Sequence, residues 1–195
     1  MRFHFYVKEG PEQPGATRQW SEPDGVEVWE PSLRKILPPG FPWYPFFAFW
    51  LFHQLRLFKN RDYRVLFIRE DNRVVQRCCL LPPFFRYPFM RSADLNISIW
   101  THPDYRRKGL AARTLSKALH SSRQHFRRIW YITRETNAAS IRLAERCEFG
   151  FFGTGKRVAI CGSMVLGHFV VEAVRDRTSP DSLCPGFFSR KRDRA

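Results

Sequence analysis

The chain has 195 residues and a formal net charge of +15, with 33 Lys and Arg against 18 Asp and Glu. This length suits one domain with a buried core, and a hydrophobic content of 44% argues against wholesale disorder. No apolar run approaches the roughly 18 to 20 residues that span a bilayer, and the N-terminus lacks the apolar stretch of a secretory signal. We therefore expect a cytoplasmic protein without a membrane span.

The basic residues are scattered along the chain, and the one dense cluster lies near the C-terminus at residues 190–194. Such a charge suits a polyanionic partner, which could be nucleic acid, membrane phosphate or a phosphorylated cofactor. The scattering does not favour nucleic acid over the others. The cysteines are odd in number and show no metal-ligand spacing, so we expect reduced thiols and no metal site. They are Cys78, Cys79, Cys147, Cys161 and Cys184.

The first half of the chain predicts a strand, a long loop, an aromatic helix and a hairpin. Alternation predicts a strand over residues 1–8, and the Pro- and Gly-rich residues 9–42 predict mostly loop, with a short strand at Val26–Trp29. Apolar residues at helical spacing predict a helix over Pro45–Phe58. The hairpin is predicted from two β-branched runs around the turn signal Asp71-Asn72, namely Tyr63–Arg69 and Val74–Leu81.

The second half alternates strands and helices, which predicts a mixed α/β fold. The predicted elements are a strand at Leu95–Thr101, a helix at Leu110–Ala118, a strand at Arg127–Ile132, a helix at Ala138–Cys147, and strands at Phe149–Phe152 and Val158–Val171. We expect a single domain over residues 1–174, followed by a mobile basic tail over residues 175–195.

The segment between the strand ending at Thr101 and the helix beginning at Leu110 predicts a phosphate site. The first-turn amides of a helix lack partners within the helix, and its dipole favours an anion there. Small residues allow a phosphate to approach the backbone closely, and nearby cations add attraction. The small residues here are Gly109 and Ala111, and the cations are Arg106, Arg107 and Lys108. A solvated helix start is the alternative interpretation.

This segment resembles the pyrophosphate motif of the GNAT superfamily of acetyl-CoA-dependent N-acetyltransferases, Arg/Gln-x-x-Gly-x-Gly/Ala, which here runs from Arg106 to Ala111. The resemblance implies an α/β fold with a mixed, mostly antiparallel sheet, a central parallel splayed strand pair and flanking helices. It also implies that acetyl-CoA binds as co-substrate along the end of the strand and the turn. The implied contacts are Ile99, Thr101, Arg106, Arg107, Lys108, Gly109, Leu110 and Ala111.

A second match to the family lies at Asn137–Arg146, which resembles the helix that lies beside the cofactor. The resemblance implies that Asn137 bonds the pantetheine arm and that Ser140 joins the cofactor site. The simpler interpretation of Asn137 is an N-cap. The resemblance covers residues 60–172 well and the first 60 residues poorly.

The catalytic groups are less clear, because the chain departs from the family pattern. Ala144 stands where many members carry a Tyr acid, and Ser98 where many carry a carboxylate base. Asp94 and His102 flank the strand as candidate bases, although a turn residue and a surface His are the simpler interpretations. A water chain ending on Ser98, Asn96 or a backbone carbonyl is a third option. Tyr131 is a candidate acid, with core packing as its alternative.

The resemblance implies direct acetyl transfer to a primary amine, without a covalent enzyme intermediate. We expect a small acceptor such as an amino sugar, received by the aromatic segments 41–50 and 82–90. The alternative is that these segments pack as core. Other options are an acceptor amine on protein or RNA, and a non-catalytic module that binds CoA or nucleic acid. The sequence leaves the oligomeric state open, a homodimer included.

Overall fold

The computed structural model describes residues 1–10, 25–122, 126–160, 162–175 and 183–185. Within these ranges nine strands form one sheet and three α-helices pack against it. The strands are β1 (Arg2–Glu9), β2 (Glu27–Trp29), β3 (Arg64–Glu70), β4 (Arg73–Leu81), β5 (Asp94–Thr101), β6 (Arg128–Arg134), β7 (Gly150–Ile160), β8 (Ser163–Arg175) and β9 (Leu183–Pro185). The helices are α1 (Trp43–Gln54), α2 (Leu110–Ser122) and α3 (Ala138–Arg146).

The strand order across the sheet is β2-β3-β4-β5-β6-β1-β7-β8-β9. Strands β5 and β6 are parallel and every other neighbouring pair is antiparallel. The chain crosses from β5 to β6 through α2, as a parallel connection requires. This arrangement confirms the predicted α/β fold with a mostly antiparallel sheet and a central parallel pair.

The two faces of the sheet are covered by different elements. Side chains on one face, such as Ile97 and Tyr131, share a core with α2 and α3. The other face carries Trp130, which shares a second core with Phe46 and Phe49 of α1. Because side chains alternate along a strand, neighbouring residues of β5 and β6 point into different cores. Helices α2 and α3 and the aromatic helix α1 therefore lie on opposite faces of the sheet.

The central position of β1 could not be read from the sequence. This N-terminal strand lies between β6 and β7 and pairs with both of them. Its residues Phe5 and Tyr6 are buried in different cores. The predicted strand is confirmed, but its neighbours are more than 100 residues away along the chain. Residues 1–10 are thus an integral part of the sheet.

The predicted bounds of the last strands are wrong. We expected a break between residues 152 and 158, whereas β7 runs unbroken through them. Gly153 and Gly155 in this segment serve a close contact with the neighbouring strand. A Cβ on either residue would lie 2.1 Å from a backbone oxygen of β8, that of Ala173 or Val170. Glycine therefore lets β8 approach at a register shift.

Two other bounds also differ from the prediction. Helix α1 ends at Gln54 rather than Phe58, because Arg56 takes a positive φ of 57° that stops the helix. Strand β8 crosses the predicted domain boundary and ends at Arg175, and β9 pairs with it inside the predicted tail. The rest of that tail, like Cys161, lies outside the described residues.

No helix in the described part of the chain is long and apolar enough to cross a membrane. The described ranges also hold no group of three or more His, Cys, Asp or Glu side chains that could bind a metal ion. Cys78, Cys79 and Cys147 are free thiols, and the first two are buried.

Candidate functional site

The parallel strands β5 and β6 separate at their C-terminal ends. Their pairing ends where Ile97 lies opposite Tyr131. Beyond this point β5 pairs only with β4, as far as Thr101, and β6 pairs only with β1 on its other side, as far as Arg134. Ser98, the first residue past the last pair, is exposed. The strands thus leave a wedge between them in which the backbone of β5 is accessible, which confirms the predicted splayed pair.

A tight turn carries the chain from the wedge into α2. A single 3₁₀ turn at Pro103–Tyr105 follows β5, and the backbone then takes positive φ at Arg107 (64°) and Gly109 (78°). The amide of Arg113 donates to the carbonyl of Gly109 over 3.1 Å, so that Gly109 precedes the first helical turn. The amides of residues 110–112 then have no acceptor within the helix. The turn therefore presents backbone N–H groups and the positive end of the helix dipole at one place.

The space in front of this helix end is open. A Cβ built on Gly109 would meet no heavy atom within 4 Å. Leu110 is buried and anchors the helix start, while the four residues before it are exposed. The ammonium of Lys108 lies 4.5 Å from the ring centroid of Tyr105, which holds its charge beside the turn. An anionic group could thus reach both the amides and the cations, as the sequence predicted.

A buried hydrogen-bond network that the sequence did not predict supports this turn on the side of the sheet. Gln76 of β4 donates from Nε2 to Oγ1 of Thr114 in α2 over 2.9 Å and accepts at Oε1 from the Thr101 hydroxyl. Gln76 is completely buried. These hydrogen bonds link Thr101, at the end of β5, to Thr114, in the second turn of α2. An uncharged polar side chain within a β-branched strand was the available signal, although Arg77 next to it made the position look solvent-facing.

Asn137 is the N-cap of α3, since its Oδ1 accepts from the amide of Ser140 over 3.2 Å. The simpler interpretation of Asn137 is thus confirmed, and the cap leaves its amide nitrogen out of this bond. The helix begins four residues after β6 ends, beside the open side of the wedge. Asn137 and Ser140 are therefore near the C-terminal end of β6, as a shared cofactor site requires.

Tyr131 is buried in the core between the sheet and α3. Burial raises the pKa of its phenol, and a hydrogen bond with the Ser140 side chain partly offsets this effect. Its ring centroid lies 5.8 Å from that of Phe149. These contacts tie β6 to the first turn of α3. Tyr131 sits at the base of the wedge but is packed as a core residue.

Asp94 lies far from the turn, at the opposite end of β5 from Thr101. Seven residues of extended chain separate the two by about 23 Å. The carboxylate of Asp94 is 1% exposed, and its Oδ2 accepts from the Arg91 amide over 2.9 Å and from Nε1 of Trp130 over 3.0 Å. The structure thus does not bring this candidate base to the other site residues.

His102 lies directly beside the turn, at the end of β5. Its ring is half exposed, and its centroid lies 6.0 Å from that of Trp100 and 5.8 Å from that of Tyr105. Its Nδ1 is 3.6 Å from Oδ2 of Asp104, which is too long for a hydrogen bond. Nδ1 is buried and has no hydrogen-bond partner in the described part of the chain, so the exposed part of the imidazole is the rest of the ring.

An aromatic group lies next to His102 on the face of α1. The guanidinium carbon of Arg77 is 4.9 Å from the ring centroid of Trp100, 5.4 Å from that of Phe46 and 5.9 Å from that of Phe41. Trp100 stays partly exposed. The predicted aromatic segments otherwise pack mainly as core, since Phe46, Phe49, Phe84, Tyr87 and Met90 are buried. Only their outer residues could contact a ligand.

A comparison with known families decides the assignment. The sequence model of the acetyltransferase (GNAT) family matches residues 24–151, which include the wedge, the turn and α3. The chain belongs to the GNAT family. Acetyl-CoA is the acetyl donor of this family. The match does not include β1, although this strand lies in the middle of the sheet, between β6 and β7.

Solved structures of GNAT proteins share the fold. A GNAT-family protein from Novosphingobium aromaticivorans is 18% identical, with a TM-score of 0.52, over 78% of this chain and 61% of that one. A GCN5-related N-acetyltransferase from Sphaerobacter thermophilus is 16% identical, with a TM-score of 0.48, over 78% and 49%. The Salmonella typhimurium protein yncA, solved with its cofactor acetyl-CoA, is 16% identical, with a TM-score of 0.44, over 70% and 82%.

This chain spans 61% and 49% of the lengths of the first two proteins. No curated protein sequence matches it significantly. The likeness to the Novosphingobium aromaticivorans structure, at 18% identity, shows the fold alone.

Proposed function

We propose that this GNAT protein is an acetyl-CoA-dependent N-acetyltransferase that moves the acetyl group directly to the primary amine of a small molecule. One observation carries the proposal: the wedge between β5 and β6 opens directly into a turn with free helix amides and three exposed cations. A thioester with a long phosphorylated arm needs both features. It needs an accessible strand edge at the reacting carbonyl and an anion site at a distance from it.

The turn would hold the pyrophosphate of acetyl-CoA. The amides of Gly109, Leu110 and Ala111 would donate to it, and Arg106, Arg107 and Lys108 would balance its charge. The open space at Gly109 fits this role, because a side chain there would occupy the approach. The arm would then run along the end of β5, past Thr101 and Ile99, with Asn137 and Ser140 on its other side. These contacts follow the two family motifs of the sequence.

Transfer itself needs few groups. The substrate ammonium loses a proton, the amine attacks the thioester carbon, the C–S bond breaks, and the thiolate leaves and takes up a proton. A backbone N–H of β5 between Ile99 and Thr101 would polarise the carbonyl, because past the last β5–β6 pair this strand edge has no neighbour. No nucleophilic side chain is required.

His102 is the proposed base among the three catalytic candidates. It is the one of the three that lies beside the wedge with a half-exposed ring. Asp94 and Tyr131 are buried and hydrogen-bonded within the fold, so we propose that they position β5 and β6. Proton transfer by a positioned group typically contributes about 10² to 10⁴ to a rate.

We propose an amino sugar as the acceptor class, received on the α1 face of the wedge. The partly exposed Trp100 ring beside His102 supports this choice, because an indole face can stack on the apolar face of a sugar ring. Arg77, held against the same indole, would add a donor for a polar substituent.

A non-catalytic CoA-binding module is the second candidate. It is favoured by one observation, the burial of Asp94 and Tyr131, which leaves His102 as the one accessible group among the candidates. The two functions share the phosphate turn and differ in turnover. Both would take CoA with similar affinity, and one would release free thiol in the presence of an acceptor.

Titration calorimetry with acetyl-CoA tests the proposal, using Gly109→Leu against a matched control, Gly162→Leu. Both glycines have positive φ, 78° and 74°, and neither would bring a Cβ within 4 Å of another atom. The two changes thus carry the same backbone strain, but Gly162 lies in the β7–β8 turn. We expect Gly109→Leu alone to abolish binding.

Thiol release with a panel of amino sugars and other amines then separates the two functions. Turnover supports the transferase, and binding without turnover across the panel supports the module. Failure of the wild-type protein to bind acetyl-CoA, or retained binding in Gly109→Leu, would contradict the proposal.

A further inference from the structure

Helix α1 is apolar around its circumference, but only one side of it is buried. Phe46 and Phe49 pack into the core against the sheet. The other side carries the exposed stripe, which consists of Trp43, Phe47, Leu51 and Leu55 at four-residue spacing, 67%, 37%, 36% and 60% exposed. Such spacing places side chains on one face of a helix.

The stripe is continuous although the backbone is extended at Tyr44 (φ −102°, ψ 134°). The ring of Trp43 still lies 6.2 Å from that of Phe47, centroid to centroid. Phe47 stacks in turn on Trp50 at 5.7 Å. Tyr44 and Leu57 add further exposed apolar surface beside the stripe. Contiguous apolar surface of this kind marks an interaction site.

Basic residues precede and follow the exposed stripe along the chain, and the nearest acidic residues in the sequence, Glu30 and Asp62, pair with Arg64. Residues 31–61 contain no Asp or Glu and five Lys or Arg, which are Arg34, Lys35, Arg56, Lys59 and Arg61. All five are exposed. Nε1 of Trp50 donates to the carbonyl of Ser32 over 2.9 Å, which holds the loop with Arg34 and Lys35 against the helix.

We propose that the exposed stripe docks this protein on an anionic phospholipid surface, with α1 lying in the plane of the interface. Aromatic and aliphatic side chains enter the boundary between headgroups and acyl chains, and flanking Lys and Arg contact the lipid phosphates. Trp and Tyr, which occupy one end of the stripe, favour that boundary. A helix of 12 residues is about 18 Å long, so it lies on the bilayer rather than crossing it.

Charge decides between this partner and a second copy of the chain. Self-association through the stripe would bring together the five basic residues of segment 31–61 from two chains, each of which carries a net charge of +15. Repulsion between like charges opposes that contact. An anionic bilayer instead complements the charge of these basic residues and covers the apolar side chains at the same time.

Vesicle sedimentation tests this proposal on the full chain. The wild-type protein is mixed with vesicles of phosphatidylcholine alone or with about one third phosphatidylglycerol, and compared with the double variant Phe47→Ser, Leu51→Ser. Each side chain is about one third exposed and neither belongs to the two buried cores, so acetyl-CoA binding, measured alongside as a check on the fold, should be kept. We expect binding to anionic vesicles to weaken about tenfold in this variant, since large apolar areas leave the interface. The basic residues 190–194 are present in both proteins.

A charge pair provides the matched control. Arg56→Glu next to the stripe and Arg142→Glu on α3 change the net charge equally, and both arginines are exposed. Arg56→Glu should weaken vesicle binding more, and added salt should weaken the binding of the wild type. Brominated acyl chains should quench tryptophan fluorescence less in Trp43→Phe than in the wild type.

Three outcomes would overturn the proposal. The first is that the wild type binds neutral and anionic vesicles equally. The second is that the wild type and the double variant bind anionic vesicles equally. Either result would mean that the stripe does not dock on anionic lipid. Dimerisation of the wild type that the double variant abolishes, without vesicle binding, would assign the stripe to a second copy.

Discussion

Gln76 and Thr114 are joined by a buried hydrogen bond of 2.9 Å that links the centre of the sheet to the helix behind the phosphate turn. Both side chains are fully buried. Gln76 also accepts from the hydroxyl of Thr101 at the end of β5. This bond therefore fixes the distance between the wedge and the first turns of α2, which are the two parts of the proposed acetyl-CoA site.

Thr114→Val should weaken both stability and acetyl-CoA binding. The change leaves a buried donor of Gln76 without its acceptor, which costs about 1 to 3 kcal/mol. We expect the free energy of unfolding to fall by this amount in urea, and the dissociation constant for acetyl-CoA to rise several-fold because the turn loses its brace.

The double variant Gln76→Leu, Thr114→Val is the control for this prediction. Replacing both polar partners by apolar groups removes the unsatisfied amide donor, and the Thr101 hydroxyl that loses its acceptor is part-exposed and can bond to water, so the stability of the double variant should exceed that of Thr114→Val alone. Its acetyl-CoA affinity should remain reduced. Additive losses of stability would show that the bond does not couple the two residues.

Asp94→Ala should reduce stability without affecting acetyl-CoA binding. The buried carboxylate accepts from the Arg91 amide and from Trp130, and its loss leaves both donors unpaired. A loss of about 2 to 3 kcal/mol is expected for bonds to a charged group. Calorimetry should show a dissociation constant within about twofold of the wild type, because Asp94 is at the far end of β5.

If Asp94→Ala fails to fold, Asp94→Asn keeps an acceptor oxygen and permits the same measurement. Its turnover should match that of the wild type, and a collapse of turnover in stable Asp94→Asn would restore Asp94 as the base.

Local patterns predicted most elements and the turn between β5 and α2, because the relevant interactions lie within a few residues. The N-cap bond from Ser140 to Asn137 spans three residues, and the turn from Thr101 into α2 is a single strand–helix connection. Such short-range chemistry depends on residue type and spacing alone.

Long-range pairings were not predictable in the same way. Gln76 and Thr114 are 38 residues apart, and neither sequence segment indicates that the two side chains meet. The burial of Asp94 likewise depends on Trp130, 36 residues away on the next strand. The role of Gly153 and Gly155, which allow β8 to approach closely, likewise depends on a neighbouring strand that periodicity does not reveal.

His102→Gln should lower turnover and leave acetyl-CoA binding unchanged. If His102 removes the proton from the acceptor, its loss costs about 10² or more in kcat. His168→Gln is the matched control, since this histidine lies on β8, away from the wedge. Steady-state kinetics with an acceptor from the amine panel would separate the effects. A kcat within about twofold of the wild type would assign the proton transfer to solvent instead.

Alkaline pH should destabilise the protein between about pH 9 and 12. Burial raises the pKa of the Cys79 thiol from 9.0 to about 12, although Arg77 partly opposes this, and raises the pKa of Tyr87 from 10.0 to about 12. In this window the unfolded chain releases protons that the folded chain keeps, so stability falls as pH rises. Each group contributes up to about 1.4 kcal/mol per pH unit.

Urea unfolding at a series of pH values tests this prediction, with Cys79→Ala as the comparison. The variant should be less stable at pH 8, because it leaves a small cavity, but its stability should decline less steeply above pH 9. Identical slopes in both proteins would show that Cys79 does not titrate with unfolding.

Removal of residues 1–10 should abolish the cooperative fold, although the family match begins only at residue 24. Strand β1 pairs with β6 on one side and β7 on the other, so its loss leaves two strand edges without partners in the middle of the sheet. It also removes Phe5, which is fully buried, and Tyr6 from the other core. Loss of one buried Phe side chain alone costs about 3 to 5 kcal/mol, a large part of the stability of a typical domain.

Addition of the missing strand as a separate peptide should reverse this loss. A synthetic peptide of residues 1–10 can fill the gap between β6 and β7, because its hydrogen bonds and side-chain contacts do not require the covalent link. Circular dichroism and thermal unfolding of the shortened chain, with and without the peptide, would measure the effect. A peptide carrying Phe5→Ala should restore less stability. A shortened chain that unfolds cooperatively at the wild-type temperature without the peptide would show that the acetyltransferase domain closes its sheet without β1.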